Sequence, residues 1–256
     1  MHEATIDLPG RAALITRRLC RPDFLAHVRF AYQPIVSLAG RTTVGFEGLA
    51  RWTDPQLGEV SPVDFVPIAD DTGRLPGLTT RALMDGMHVV RGGGFLSINV
   101  DVAGFCDPSF PGRVLDACTM RSFPPDRLLL EVTETGVIRD PVWFRAAMTT
   151  LQQAGVRIAA DDLGAGLSTL ARVVEYPFDV VKLDRTLIRL IHTARGRRVL
   201  CRALELVHEH GAVTVAEGIE DIATAERCLG AGVDLGQGWL FGRPAFPEVS
   251  GHAPVA

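Results

Sequence analysis

Short apolar runs alternate with longer amphipathic stretches along this chain of 256 residues. The runs are "FAYQPIVSL" (30–38), "TTVGFEGLA" (42–50), "FLSINV" (95–100), "RLLLEV" (127–132), "VRIAADD" (156–162), "DVVKLD" (179–184), "AVTVAEG" (212–218) and "GVDLGQG" (232–238). Most lack a polar alternation, the pattern of strands covered on both faces. Between them the apolar positions recur at helical spacing. "DPVWFRAAMTTLQQAG" opens on Asp140 and Pro141, an N-cap and N1 pair, and closes on Gly155 at the C′ position. "TARGRRVLCRALELVHEHG" runs to Gly211, directly before the next strand.

Eight strands with helical connections in a chain of this length predict an α/β fold, a TIM-type (β/α)8 barrel in modified form. The modification is at the start. Only "AGR" separates the first two runs, which makes them a hairpin and the first strand antiparallel. Residues 1–29 read as an N-terminal helical extension, 30–246 as the barrel domain and 247–256 as a flexible tail. The Pro/Gly-rich segment 53–75 reads as a long loop, and "RGGGF" (91–95), lacking a strand-to-helix context, as a turn.

Composition narrows the function classes. Apolar content of 47% with 22% charged residues is that of a globular protein. A net charge of -4 gives no global attraction to a nucleic-acid polymer or an anionic membrane. The five cysteines are scattered with no C-x-x-C pair, and no signal-type or membrane-spanning apolar run occurs, so a cytoplasmic location with reduced thiols is expected. His208 and His210 fall in a helical stretch away from any strand end and are expected at the surface.

A parallel barrel carries its chemistry at the C-terminal ends of its strands. Those positions hold Glu47, Asn99, Glu131, Asp161 with Asp162, Lys182, Glu217 and Gln237. A single polar strand end is a loop start or a helix N-cap, but five carboxylates converging on one rim repel each other without a counter-ion. Carboxylates with an amide oxygen suit Mg²⁺ or Mn²⁺, and with no His or Cys among these positions zinc fits poorly. A pair of such ions activates water and stabilises in-line displacement at a phosphate ester.

Lys182 is the sole lysine beside 25 arginines. A lysine, unlike an arginine, can shift its pKa and exchange a proton, and it is a compact donor; the other reading of this position is an ordinary ion pair with Asp161 or Asp162.

Across residues 31–244 these positions sit in motifs resembling the EAL-domain family of cyclic di-GMP phosphodiesterases: "EGLAR", "SINV", "LEVTE", "DDLGAG", "VKLD", "AEGIE" and "QGWLFGRP", in the family's order. The resemblance implies hydrolysis of cyclic di-GMP to linear pGpG with two Mg²⁺ or Mn²⁺ ions. It assigns Glu47, Asn99, Glu131 and Asp161 to one metal, Asp161 and Asp162 to the other, and Glu217 to the metals or their water. Lys182 takes the catalytic position, and Glu134 steadies the loop after the DD motif. Arg51 is implied as a phosphate contact, with Leu49, Gln33, Gln237, Glu220 and Arg243 as further substrate-binding candidates. A homodimer is also implied, and control is expected to come from a regulatory protein partner, oligomerisation or expression.

The chain departs from the family pattern at Gly48, Asp70, Asp101, Leu163 and Leu167, none of them an implied metal ligand. Two other functions stay open at this stage. One is an inactive EAL-fold receptor for cyclic di-GMP or for a protein; the other is a barrel metalloenzyme acting on a different phosphoester or an enolisable acid.

Overall fold

Where β-branched and leucine residues run uninterrupted, the chain extends and pairs. The computed structural model describes residues 8–132, 138–163 and 169–247. Its strands are β1 (Val28–Ser37), β2 (Thr43–Asp54), β3 (Gly58–Val60), β4 (Phe95–Val100), β5 (Leu128–Val132), β6 (Arg157–Leu163), β7 (Val180–Leu183), β8 (Val213–Ala216) and β9 (Leu235–Gln237). They pair in the order β1-β9-β8-β7-β6-β5-β4-β2-β3, and a further β1–β2 ladder closes eight of them into a barrel. The expected reversal is present: β1 is antiparallel to both β2 and β9, while the other barrel neighbours are parallel. At the tight β1–β2 turn Arg41 takes a left-handed φ of 53°, and Gly40 N donates to Ser37 Oγ at 3.0 Å.

The helices are α1 (Leu8–Leu19), α2 (Pro62–Asp71), α3 (Leu75–Val89), α4 (Val102–Phe105), α5 (Phe110–Arg121), α6 (Pro141–Gln153), α7 (Thr169–Glu175), α8 (Arg185–Arg189), α9 (Ala194–Glu209) and α10 (Ile222–Ala231). At α6 the Asp140 carboxylate accepts from Trp143 N at 2.9 Å, Pro141 fills N1, and Gly155 beyond the end has a φ of 99°. Each signal read from the sequence there is used as expected. Among the described residues no helix is long and apolar enough to cross a membrane.

Segment 53–75 departs from the expected loop. β2 continues to Asp54, whose carboxylate gathers Gln56 N at 2.8 Å and Leu57 N at 3.1 Å and turns the chain into β3. Pro62 then starts α2, which buries Phe65 and Ala69 one turn apart. Gly58 begins β3 and Pro62 begins α2, the N1 use of proline, while Pro67 lies inside that helix.

α1 is tied to the barrel through Arg18, whose Nε donates to Asp54 Oδ2 at 2.7 Å with both side chains almost fully buried. Trp52 beside it packs edge-on between Phe24 and Phe65, with centroids at 5.1 and 5.6 Å.

The apolar core divides in two. The larger part lies between the barrel and its helices. The smaller part is the floor inside the barrel, formed by Ile35, Phe95, Leu129, Ala159, Val180 and Val215. Gly45 makes room for this floor, since a Cβ there would lie 2.7 Å from the Phe95 ring.

Candidate active site

Side chains on a strand alternate between its faces, so the residue two positions beyond a floor residue also points inward. Moving from the floor toward the C-terminal ends, Leu129 leads to Glu131, Ala159 to Asp161, Val180 to Lys182, Val215 to Glu217 and Leu235 to Gln237. On the reversed β1 the same step runs backward, from Ile35 to Gln33, which pairs in register with Glu47. A polar layer thus rests directly on an apolar one.

Lys182 is the centre of that layer and is only 2% exposed. Its Nζ lies 2.6 Å from Glu217 Oε1, 2.8 Å from Glu131 Oε2, 3.4 Å from Asp161 Oδ1 and 3.6 Å from Glu47 Oε2. Asn99 Nδ2 donates to Glu47 Oε1 at 2.8 Å, and Gln237 Nε2 donates to Glu47 Oε2 at 2.5 Å and to Gln33 Oε1 at 3.1 Å. Gln33 Nε2 in turn donates to the Gly242 carbonyl at 3.1 Å.

Asp161 and Asp162 are neighbours, and a regular strand would aim them at opposite faces. The β6–β7 register shifts between Ala160 and Leu163, a bulge, and Asp162 takes a φ of 60°. Aspartate tolerates this left-handed conformation better than most residues. As a result, one carboxylate oxygen from each of Asp161, Asp162 and Glu217 lies within 4.8 Å of the others.

The electrostatics follow from one cation among several acids in a buried space. Burial pushes the Glu131 carboxyl well above its usual range, and the neighbouring Glu47 charge adds to the effect. Burial likewise raises Glu217, to about 7. Glu47 ends below its usual value, because Lys182 together with the Gln237 and Asn99 donors outweighs the cost of its burial. For Lys182, burial alone would favour the neutral amine, but Asp161, Glu131, Glu217 and Glu47 together hold it well above its usual value. With these four carboxylates around it, Lys182 is placed as a hydrogen-bond donor and ion-pair partner.

The oxygen donors suit a hard divalent cation. One ammonium cannot balance the surrounding carboxylates when all are ionised, as the raised Glu131 shows. Gln237 Oε1 is also buried without a hydrogen-bond partner. The residues therefore fit Mg²⁺ or Mn²⁺.

The other expected residues are placed less centrally. Leu49 and Arg51 follow Glu47 on the inward face of β2, toward the mouth. Glu220 pairs with Arg185 at 3.3 Å on the surface, and the Arg243 guanidinium lies 3.9 Å from the Trp239 ring centroid. Glu134 and Leu167 lie outside the described residues. His208 and His210 are exposed as expected, His208 Nε2 sitting 3.1 Å from Asp234 Oδ2.

Ser97 was missed. Fully buried, its hydroxyl donates to Glu131 Oε1 at 2.5 Å, so that Ser97 and Lys182 hold the two oxygens of that carboxylate between them. The available signal was its place two residues before Asn99, on the same inward face of β4.

Fold and site together define a closed mixed barrel with an oxygen-donor centre built around a lysine. The chain belongs to the EAL domain family, whose model matches residues 22–244. It is 32% identical over 249 residues to the cyclic di-GMP phosphodiesterase RocR of Pseudomonas aeruginosa, covering 94% of this chain and 62% of RocR. An uncharacterized protein of Azorhizobium caulinodans is 32% identical over 235 residues, 87% of this chain and 32% of that protein. The chain thus spans less than two thirds of these relatives' length. Among solved structures, the PaMucR phosphodiesterase in complex with c-di-GMP superposes with a TM-score of 0.82 at 27% identity, covering 93% of this chain and 98% of that one. The calcium and cyclic di-GMP complex of BlrP1 from Klebsiella pneumoniae does so at 0.76 and 28%, covering 97% and 68%.

Proposed function

We propose that this chain hydrolyses cyclic di-GMP to linear pGpG with two divalent ions, Mg²⁺ or Mn²⁺. The observation that carries the reading is the convergence of Glu47, Glu131, Asp161 and Glu217 on Lys182 Nζ within 3.6 Å, with Asn99 bonded to Glu47 and Asp162 beside Asp161.

Glu47, Asn99, Glu131 and Asp161 would hold one ion and Asp161 with Asp162 the second. When bound, the ions supply Lewis-acid activation of water and neutralise charge at the phosphate. The chain's own residues do the rest. Glu217 orients the attacking water; its oxygen bonds to phosphorus and releases a proton as the bond from phosphorus to the 3′ oxygen breaks, and the departing 3′ oxygen takes up a proton to become the free hydroxyl. Lys182, as an ammonium, donates from Nζ toward the oxygens on which negative charge develops. The Gln33–Gln237 chain of hydrogen bonds fixes Glu47, and the apolar floor closes the layer from below. Arg51 is assigned as a phosphate contact, with Leu49, Glu220 and Arg243 as further substrate-binding residues, and Glu134 is assigned to the loop beyond β5. The family resemblance further supports a homodimer, and we propose a cytoplasmic location and a regulatory protein partner alongside it.

The test is incubation of the purified chain with cyclic di-GMP and Mg²⁺ or Mn²⁺, with products resolved by chromatography. Formation of pGpG that stops on chelation is expected. Tight nucleotide binding without product would replace this reading by a receptor role.

A further inference from the structure

Arg51 stands four residues beyond Glu47 on β2, and its Cα partner across the β1–β2 ladder is Arg29. Alternation places Glu47, Leu49 and Arg51 on the inward face of β2, and Gln33, Ala31 and Arg29 on the inward face of β1. The intervening Trp52, Val28 and Phe30 point outward into the core, which confirms the phase of both strands. Because β1 is reversed, both arginines lie at the mouth end, above the polar layer.

Like charges directly opposite each other in an antiparallel pair are destabilising. Here neither guanidinium pairs with an acid among the described residues. Each is held by a neutral group instead. Arg51 Nη1 donates to the Ala50 carbonyl at 2.8 Å, and the Arg29 guanidinium lies over the Phe246 ring at 4.1 Å. The Phe246 segment is itself anchored to β1, through Tyr32 N to Ala245 O at 2.8 Å and Ala245 N to Tyr32 O at 3.1 Å. Two positioned cations without acid partners at the entrance of a site are a receptor for an anion, and the planar guanidinium fork matches phosphate oxygens.

The geometry points to Arg29 as a substrate-binding residue that acts with Arg51 as a two-guanidinium clamp on one phosphodiester group of cyclic di-GMP. The clamp rests on the proposed function of the site. Arg51 supplies one side and Arg29 the other, with the Arg29 guanidinium stacked on the Phe246 ring.

The experiment is calorimetric titration of cyclic di-GMP into the full chain, with calcium in place of Mg²⁺ or Mn²⁺ because its looser coordination slows turnover. Arg29→Gln is expected to weaken binding about tenfold, the scale of one charge-assisted contact. Arg51→Gln should act similarly, and the double variant should lose less than the product of the two, since both side chains share one phosphate. Phe246→Ala, which leaves both charges in place, should weaken binding about threefold. Steady-state kinetics should show these losses in KM, with kcat little changed. Binding by Arg29→Gln within twofold of the parent overturns the clamp, and fully multiplicative losses overturn a shared phosphate. Absence of binding by the parent protein overturns the reading of the site itself.

Discussion

Leu129 and Glu131 stand two residues apart on β5, both 0% exposed and both pointing into the barrel, yet they are held by different forces. Leu129 belongs to the floor, where attraction is non-directional and each side chain contributes through the area it removes from water. Glu131 belongs to the layer above, where Ser97 and Lys182 occupy its oxygens and its own carboxyl is pushed toward the neutral form. The floor is stable as built. The upper layer needs each partner in place and is short of positive charge, because taking an ion out of water costs several kcal/mol unless it is paired. The contrast shows how one barrel divides its labour: the lower layer supplies stability that the upper one can draw on.

Four changes test that division. Leu129→Ala should lower stability by about 3 kcal/mol, the range for a buried leucine, and calorimetric melting should show the same loss with and without Mg²⁺ or Mn²⁺. A loss that the ions repair would show that the layers are not independent. Lys182→Arg should leave folding and metal titration nearly intact but cut turnover about a hundredfold, roughly 2.7 kcal/mol of barrier. A planar fork cannot bring a single nitrogen as close to both Glu131 and Glu217 as the lysine Nζ lies. Near-normal turnover in this variant would show that charge alone suffices. Ser97→Ala should weaken Mn²⁺ binding about tenfold by isothermal titration, as loss of an outer partner of a metal ligand does, with the melting temperature little changed and Ser97→Thr partly restoring affinity. Unchanged affinity would make Ser97 a filler of space only. Gly48→Ala is the smallest. Its Cβ would meet Ile98 Cδ1 at 2.9 Å, and that overlap offsets the gain of about 0.5–1 kcal/mol from replacing a strand glycine, so denaturant unfolding should show almost no change. A large loss would mean that Ile98 cannot yield.

Much of the architecture was legible because it is written in local chemistry. Continuous apolar runs mark strands covered on both faces, and "AGR" leaves room only for a hairpin, which reverses β1. β3 and α2 were not legible: Asp54 turning the chain onto its own backbone and Pro62 beginning a helix look, in sequence, like any Pro/Gly-rich loop. The site divides in the same way. Charged residues at strand ends stand out one by one, whereas Ser97 is a small hydroxyl in an apolar run. The bulge that brings Asp162 round beside Asp161 contradicts the alternation from which strand faces are read. The charge state of Lys182 depends on four acids from four other strands or strand ends, and the Arg29–Arg51 pairing on register, neither of which is a local property.

The reversed first strand has a mechanical consequence. In a barrel with every strand parallel, the chain enters at the floor end, far from the chemistry. Here β1 begins at the mouth, so the segment leading into it starts on the side of the polar layer. Arg18 fastens α1 to Asp54, seven residues along β2 from Glu47. A load applied to α1 therefore has a short, stiff lever arm, a single strand, between the point where it is felt and the carboxylate on which the upper layer depends.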